Sequence, residues 1–289
     1  MAQLLDVADL RSLEHLRLAP RKSFSGATRG ERLTQRRGIS IEFADYRNYA
    51  EGDDLRHIDW NVLARLGQAV TKTYRDEEDL SVHLLFDASS SMSFGEPTKF
   101  DCAAKIAWAL GYIALCGGDA LNPRVLGAAP IPAMRGRASA FRFSQWLGSI
   151  QPDRSGNLSE YIGLFLRSNA KAGIALLISD GMDPDLAQVV AAIGARGHDL
   201  MFVQVLSDVE LDPDLEGDLR LIDAESSKSV EITANQFALA QYKRNLSAHQ
   251  KAIETAVQRA GGRHLLVRNN QSFREIFTDG FKRYGWVRR

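Results

Sequence analysis

The stretch that decides the fold is LLFDASSSMSFG at residues 84–95, where an apolar run ends in one carboxylate and three consecutive serines. Such a short, wholly apolar run predicts a strand buried on both faces. Asp87, Ser89 and Ser91 follow it at alternate positions, a spacing that in a tight loop aims their side-chain oxygens at one point. Oxygens of this kind suit Mg²⁺, Mn²⁺ or Ca²⁺. The alternative is that the serines fill an ordinary turn.

Outward from this stretch, short apolar runs alternate with longer segments of helical spacing, which predicts an α/β domain with a parallel sheet. The predicted strands are Val82–Phe86, Ala175–Ile178, Leu200–Leu206 and His264–Val267. The predicted helices are Lys99–Cys116, Ala138–Ile150, Leu158–Ser168, Asp185–Ala195, Asn235–Ala260 and Gln271–Arg283. Residues Leu219–Ile222 and Ser229–Ile232 are expected to form a small hairpin.

A second apolar run, ALLISDG at residues 175–181, also ends in a carboxylate, Asp180. Ligands of open parallel sheets bind at the carboxyl ends of the strands, so we expect Asp87 and Asp180 at the same edge. One or two carboxylates with two hydroxyls would leave a divalent cation incompletely neutralised. That composition favours capture of a carboxylate from another protein over a closed ion cage.

The chain before residue 80 has a different texture, with arginines and aspartates among aromatic residues. We place a boundary near Asp79, between an extension at residues 1–79 that packs on the main domain and a domain at residues 80–289, because no segment of the extension could bury much core alone. The charged residues of interest are Arg47, Asp53, Asp54, Arg56, Asp59 and Arg65. They form either a structural ion-pair network or a docking surface for a partner, and Asp59 is placed to cap a helix at WNVLAR.

Net charge, the length of the longest apolar run and the spacing of the cysteines indicate where the protein is located. The 289 residues carry 36 basic and 36 acidic side chains, so no overall charge recruits nucleic acid or membrane, although the N-terminal segment is basic. The longest apolar run, residues 106–116, is shorter than the roughly 20 residues that cross a bilayer. Cys102 and Cys116 on one helix would lie about 21 Å apart, beyond disulfide reach. We therefore expect free thiols, a cytoplasmic location and no membrane insertion.

Common catalytic templates are missing from the sequence: it has no Gly-x-Ser-x-Gly, no phosphate-binding P-loop and no His-Glu-x-x-His. The main enzymatic alternative is a metal-dependent phosphoryl hydrolase using Asp87, although no lysine or histidine is obviously placed as its acid or base. A triad of Ser89, Asp180 and either His57 or His83 also stays open. Both histidines are more simply structural.

The sequence resembles known proteins in two ways, one broad and one narrow. DASSS at 87–91 with SDG at 179–181 resembles the metal-ion-dependent adhesion site of von Willebrand factor A domains. More narrowly, EFADYRNYAEGDDLRHIDWNVLAR at 42–65, followed by VTKTYRDEEDLSVHLLFDASSSM at 70–92, resembles the domain-of-unknown-function family fifty-eight, whose members accompany MoxR-type AAA+ ATPases. The resemblance implies a doubly wound, Rossmann-type sheet like that of von Willebrand factor A domains.

The resemblance also implies roles for individual residues. Asp87, Ser89 and Ser91 become metal-loop residues, and Asp180 a further ligand, direct or through water. Such domains usually add a loop threonine, but the stretch DRSGNLSEY at 153–161 has glycine there. The candidate substitutes are Ser155, Asn157 and Ser159. If none of them reaches the metal, Mg²⁺ would bind more weakly, and only with a partner present.

The function expected from the sequence is that of a non-enzymatic interaction protein. The resemblance implies an adaptor or co-chaperone of a MoxR-type ATPase that binds a client's carboxylate through Mg²⁺, Mn²⁺ or Ca²⁺. Many relatives carry membrane segments ahead of this region and this sequence does not, so a soluble member is expected. Nucleic acid is not an expected partner, although the basic N-terminal segment keeps that alternative open.

Overall fold

The computed structural model describes residues 5–22, 24, 42–50, 53, 55–75, 80–153, 156–168, 170–224 and 228–289. The chain forms two compact units: residues up to Phe24 together with Leu80–Arg289, and Ser25–Asp79. The boundary expected near Asp79 therefore coincides with the edge of a unit. The residues up to Phe24, which were assigned to the extension, belong instead to the larger unit.

Strands and helices are numbered along the chain. The strands of the described residues are β1 (Arg17–Leu18), β2 (Glu42–Asn48), β3 (Val70–Arg75), β4 (Ser81–Phe86), β5 (Ala120–Val125), β6 (Ile174–Ser179), β7 (Asp199–Leu206), β8 (Gly217–Ile222), β9 (Ser229–Ala234), β10 (Arg263–Arg268) and β11 (Val287–Arg288). The α-helices are α1 (Val7–Leu13), α2 (Trp60–Leu66), α3 (Lys99–Gly117), α4 (Ala140–Gly148), α5 (Leu158–Arg167), α6 (Leu186–Ala195), α7 (Asp208–Leu211), α8 (Gln236–Arg259) and α9 (Phe273–Glu275).

The larger unit is built on a parallel sheet with the strand order β10-β7-β6-β4-β5. The four predicted strands are confirmed as β4, β6, β7 and β10. Strand β5 was not predicted, because its sequence ALNPRV contains Pro123, which cannot donate a backbone hydrogen bond. Proline is tolerated there because β5 lies at the edge of the sheet, where β4 is its only neighbouring strand among the described residues.

Side chains alternate between two hydrophobic cores, one on each face of the sheet. On one face Val82, Leu84 and Phe86 of β4 join a cluster with residues of α3 and α4. On the other face Leu85 packs in a cluster with residues of α5, α6 and α8. Helices therefore cover both faces of a parallel sheet, which is the arrangement of a doubly wound α/β fold.

Helix α3 is apolar and long enough to cross a membrane by length and composition alone, yet most of it is buried inside the larger unit. Ile106 and Leu110 are completely inaccessible. The expected core helix is therefore confirmed, and its apolar character is explained by packing against the sheet. Cys102 is buried, Cys116 is half-buried, and both thiols are free.

The remaining predictions agree closely with the structure. The hairpin is β8 and β9, and the predicted helices appear within a few residues of their expected ends. The C-terminal helix is the exception, since α9 continues as a π-helix over Ile276–Lys282. In the smaller unit, β2 and β3 pair antiparallel and Asp59 caps α2 as expected.

Candidate functional site

The candidate site lies at the carboxyl edge of the sheet, where β4 and β6 end side by side. Phe86 of β4 is paired with Ile178 of β6, and the amide of Asp87 donates a hydrogen bond to the Ile178 carbonyl at 3.0 Å. This pairing places Asp87 and Asp180 at the same edge, as their positions after two apolar runs predicted. Gly181 turns the chain behind Asp180 with a positive φ of 71°.

Asp87 is nearly buried and is held by two neutral donors. The Ser179 hydroxyl donates to its Oδ2 at 2.6 Å, and the Ser89 amide donates to its Oδ1 at 2.9 Å. Burial raises the pKa of Asp87, and the negative charge of Asp180 raises it further. The site therefore carries excess negative charge that a cation would relieve.

Hydroxyl groups join the two carboxylates. The Ser89 and Ser91 Oγ atoms lie 3.1 Å apart, and the Ser91 hydroxyl donates to Asp180 Oδ2 at 2.8 Å. Met182 donates its amide to Asp180 Oδ1 at 3.2 Å. The structure thus brings together Asp87, Ser89, Ser91 and Asp180, the four residues singled out from sequence spacing and from the resemblance.

Lys99 is a member of this cluster that the sequence did not reveal. Its Nζ lies 2.9 Å from Asp180 Oδ2 and 2.7 Å from Glu210 Oε1. Burial lowers the pKa of Lys99, but the charges of Asp180 and Glu210 outweigh it and leave the pKa above its ordinary value. No lysine was obviously placed near Asp87 in the sequence, and the structure supplies one because Lys99, the first residue of α3, contacts Asp180.

A cleft with a volume of about 320 Å³ opens over the carboxylates and serines. Gly156 and Tyr161 form part of its wall. A Cβ atom on residue 156 would clash with the Tyr161 Oη and Cζ atoms, and Gly156 has a φ of 151°. Glycine therefore stands at this position because the tyrosine ring occupies the space that a side chain would need.

Of the three candidate substitutes for the loop threonine, the two that are described do not line the cleft. Asn157 is exposed and caps α5, where its Oδ1 accepts a hydrogen bond from the Ser159 amide at 2.7 Å. Neither Asn157 nor Ser159 lines the cleft. Ser155 lies outside the described residues. The Tyr161 hydroxyl, which the sequence did not single out, lies against the place that a Cβ on residue 156 would occupy.

Comparison with known proteins identifies the family. The family model described as "Protein of unknown function DUF58" matches residues 45–252, which include the whole candidate site. This chain belongs to the DUF58 family. The resemblance to this family seen in the stretches at residues 42–65 and 70–92 is therefore confirmed.

Similar proteins occur in mycobacteria. The DUF58 chain is 28% identical over 277 residues to "Uncharacterized protein Rv1480" of Mycobacterium tuberculosis and equally to "Uncharacterized protein Mb1516" of Mycobacterium bovis. Each alignment covers 92% of this chain and 86% of the relative. Among solved structures, the protein BatB from Bacteroides thetaiotaomicron is 14% identical with a TM-score of 0.45, over 71% of this chain and 98% of BatB.

The donor set of the DUF58 site fits a hard divalent cation. Both hydrogen-bond partners of Asp87 are neutral, so its carboxylate is not held by an ion pair. A serine hydroxyl that donates its hydrogen to a carboxylate keeps lone pairs for a cation. No group of three or more His, Cys, Asp or Glu side chains suited to a metal occurs among the described residues.

Three of the charged residues of the smaller unit, Arg47, Asp53 and Asp59, make ion pairs or hydrogen bonds within that unit. Arg47 pairs with Asp53 at 2.6 Å, and the Ala50 amide and Arg47 lower the pKa of Asp53. Asp59 caps α2 and also accepts a hydrogen bond from the Tyr46 hydroxyl at 3.0 Å. Arg56 and Arg65 are exposed, and Asp54 lies outside the described residues.

The structure does not assemble a triad from Ser89 and His83. His83 Nε2 is hydrogen bonded to the Lys171 carbonyl at 2.8 Å, and its ring contacts those of Phe165 and His198. The Ser89 hydroxyl is engaged with Ser91. His83 is therefore a core residue, while the side chain of His57 lies outside the description.

Proposed function

We propose that this DUF58 protein is a non-enzymatic interaction module whose strand-end cleft binds a divalent cation and, through it, a carboxylate of another protein. The observation that supports this is the convergence of Asp87, Ser89, Ser91 and Asp180 in one open cleft. When bound, Mg²⁺, Mn²⁺ or Ca²⁺ would supply a vacant coordination position for the partner's oxygen.

Each side chain has a distinct task in this proposal. Asp87 supplies an anionic oxygen, and the Ser179 hydroxyl and Ser89 amide fix its orientation. Ser89 and Ser91 supply neutral oxygens, so they add ligands without adding negative charge. The few carboxylates leave the bound cation with a residual positive charge, which attracts an acidic group from outside.

The partner implied by the family resemblance is a MoxR-type AAA+ ATPase. In this role the protein would act in the cytoplasm as an adaptor or co-chaperone that presents a client protein to the ATPase. In this proposal the larger unit is a von Willebrand factor A-like domain. Neither nucleic acid nor insertion into a membrane is part of the proposed role.

The test is a pull-down of a MoxR-type ATPase, or of a cellular client, at constant Mg²⁺ concentration. Three proteins are compared: wild type, Asp87→Ala and the control Asp214→Ala. Asp214 is an exposed aspartate outside the cleft lining. We expect Asp87→Ala to reduce capture at least about tenfold, the effect of losing roughly 1.4 kcal/mol, and Asp214→Ala to have no effect. EDTA should reproduce the loss with wild type. Equal capture by all three proteins, with and without EDTA, would exclude the site as the docking element.

A phosphoryl hydrolase using Asp87 is the second candidate, and Lys99 is the observation that favours it. A buried ammonium beside the strand-end carboxylates is the kind of group that stabilises charge on a transferred phosphoryl group. Hydrolysis of a generic phosphoester with Mg²⁺ or Mn²⁺, lost in Asp87→Ala but kept in Asp214→Ala, would support the enzyme. No hydrolysis with either metal would exclude the hydrolase and favour the interaction module.

A further inference from the structure

Lys99 occupies an electrostatically unusual position. It is the first residue of α3, where the helix dipole disfavours a positive charge, and only 1% of its side chain is exposed. A lysine is rarely buried to this degree unless it is paired. Its place therefore depends on the carboxylates that surround it.

Those carboxylates come from two different elements. Asp180 follows β6 and contacts Lys99 Nζ at 2.9 Å, whereas Glu210 belongs to α7 and contacts it at 2.7 Å. Glu210 is itself held in a capping box, where its Oε2 accepts a hydrogen bond from the Ser207 amide at 2.7 Å. Lys99 thus has a second, fixed partner that is not one of the candidate metal ligands.

Lys99 and a metal ion bound beside Asp87 would draw on the same carboxylate, that of Asp180. Asp180 Oδ2 accepts hydrogen bonds from both Lys99 and Ser91. We propose that Lys99 is a resident cation that competes with divalent metal for Asp180 and so keeps the metal affinity of the site weak, an inference that rests on the proposed function. Glu210 makes this competition possible, because it retains Lys99 when Asp180 is given to the metal.

The proposal predicts opposite effects for two substitutions. Lys99→Met removes the competing charge at similar side-chain length, so Asp180 should be freed and metal should bind more tightly. Glu210→Gln removes the alternative partner but keeps an acceptor for the Ser207 amide. Lys99 is then held by Asp180 alone, and metal should bind more weakly.

The experiment measures Mg²⁺ affinity by calorimetry and Mn²⁺ affinity by electron paramagnetic resonance, together with the rise in melting temperature that each metal produces. We expect Lys99→Met to bind about tenfold more tightly than wild type and Glu210→Gln several-fold more weakly, since one nearby charge at partly buried sites changes binding by about that factor or more. Lys105→Met, an exposed lysine on the same helix, is the control and should match wild type.

The possible outcomes separate the two proposals. Asp87-dependent binding that is equal in wild type, Lys99→Met and Glu210→Gln would overturn the role of Lys99 and leave the metal site intact. Absence of Asp87-dependent binding in every variant would overturn the metal site itself. If Lys99→Met does not fold, Glu210→Gln decides, and tighter or unchanged binding by that variant contradicts the proposal.

Discussion

At the scale of single residues, Tyr161 in the wall of the cleft packs against two glycines. A Cβ on Gly127 would lie 2.8 Å from Tyr161 Cζ, and one on Gly156 would clash with the same ring. Both glycines have a positive φ, at 82° and 151°. The tyrosine can pack here only because neither neighbour has a side chain, so the wall of the cleft depends on three residues together.

Gly156→Ala tests this packing. The added methyl group would displace Tyr161 or strain the backbone, so we expect the free energy of unfolding to fall by about 1–3 kcal/mol. Urea denaturation measures the loss. Gly148→Ala is the matched control, because nothing lies within 4 Å of a Cβ there and that glycine ends helix α4. Equal stability of the two variants would show that Tyr161 does not need the space at position 156.

At the scale of secondary-structure elements, short helices depend on their first turn. In α2 none of the described residues is buried, so packing contributes little to the helix. Its N-cap Asp59 is only 6% exposed. Asp59 Oδ1 accepts hydrogen bonds from the amides of Asn61 at 3.0 Å and Val62 at 3.2 Å. Asp59 therefore contributes much of what stabilises α2.

Asp59→Ala should destabilise α2 locally by about 1–2 kcal/mol, the usual cost of losing an N-cap. Hydrogen exchange of peptides that cover Trp60–Leu66 should become roughly tenfold faster. Arg65→Ala is the control, since this exposed residue lies in the last turn and surface changes usually stay within about 0.5 kcal/mol. Unchanged exchange in Asp59→Ala would mean that α2 does not depend on its cap.

At the scale of the whole larger unit, the buried His198 and the partly buried His264 make stability depend on pH. Burial lowers the pKa of His264 to about 4 and that of His198 to about 4, with the charge of His83 contributing at His198. The unfolded chain binds these protons near pH 6.5, so between about pH 6.5 and 4 it binds more protons than the folded chain. Each histidine therefore lowers the free energy of unfolding as the pH falls through this range.

Asp119 acts in the opposite direction. Burial raises its pKa to about 6, so it stabilises the folded chain at low pH and loses that contribution as the pH rises. The total pH dependence is therefore a sum of opposing contributions. A comparison of wild type with a variant that lacks a single histidine isolates one of them.

His264→Gln should lose less stability than wild type between pH 6.5 and pH 4. As the pH falls, the free energy of unfolding of the variant should therefore rise relative to that of wild type. Urea denaturation at several pH values measures this difference. His15→Gln, at an exposed histidine, is the control and should show no such shift. A pH-independent difference for His264→Gln would contradict a lowered pKa at His264.

Much of the fold and the four strand-end residues of the site follow from local sequence patterns. The three central strands β4, β6 and β7 could be predicted because a strand buried on both faces must be apolar throughout. Asp87 and Asp180 could be placed at one edge because parallel strands end together. Edge strand β5 escaped prediction, since Pro123 is unfavourable in a strand unless one side is unpaired.

The sequence by itself determined the alternating helices and strands, the two strand-end carboxylates and the hydroxyls that follow Asp87. Only the tertiary structure decided that Lys99 would pair with one of these carboxylates, Asp180. Lys99 is 81 residues from Asp180 and 111 residues from Glu210, so no spacing rule connects the three. Local periodicity reports which way a side chain faces. The charge that it meets there depends on how distant segments pack.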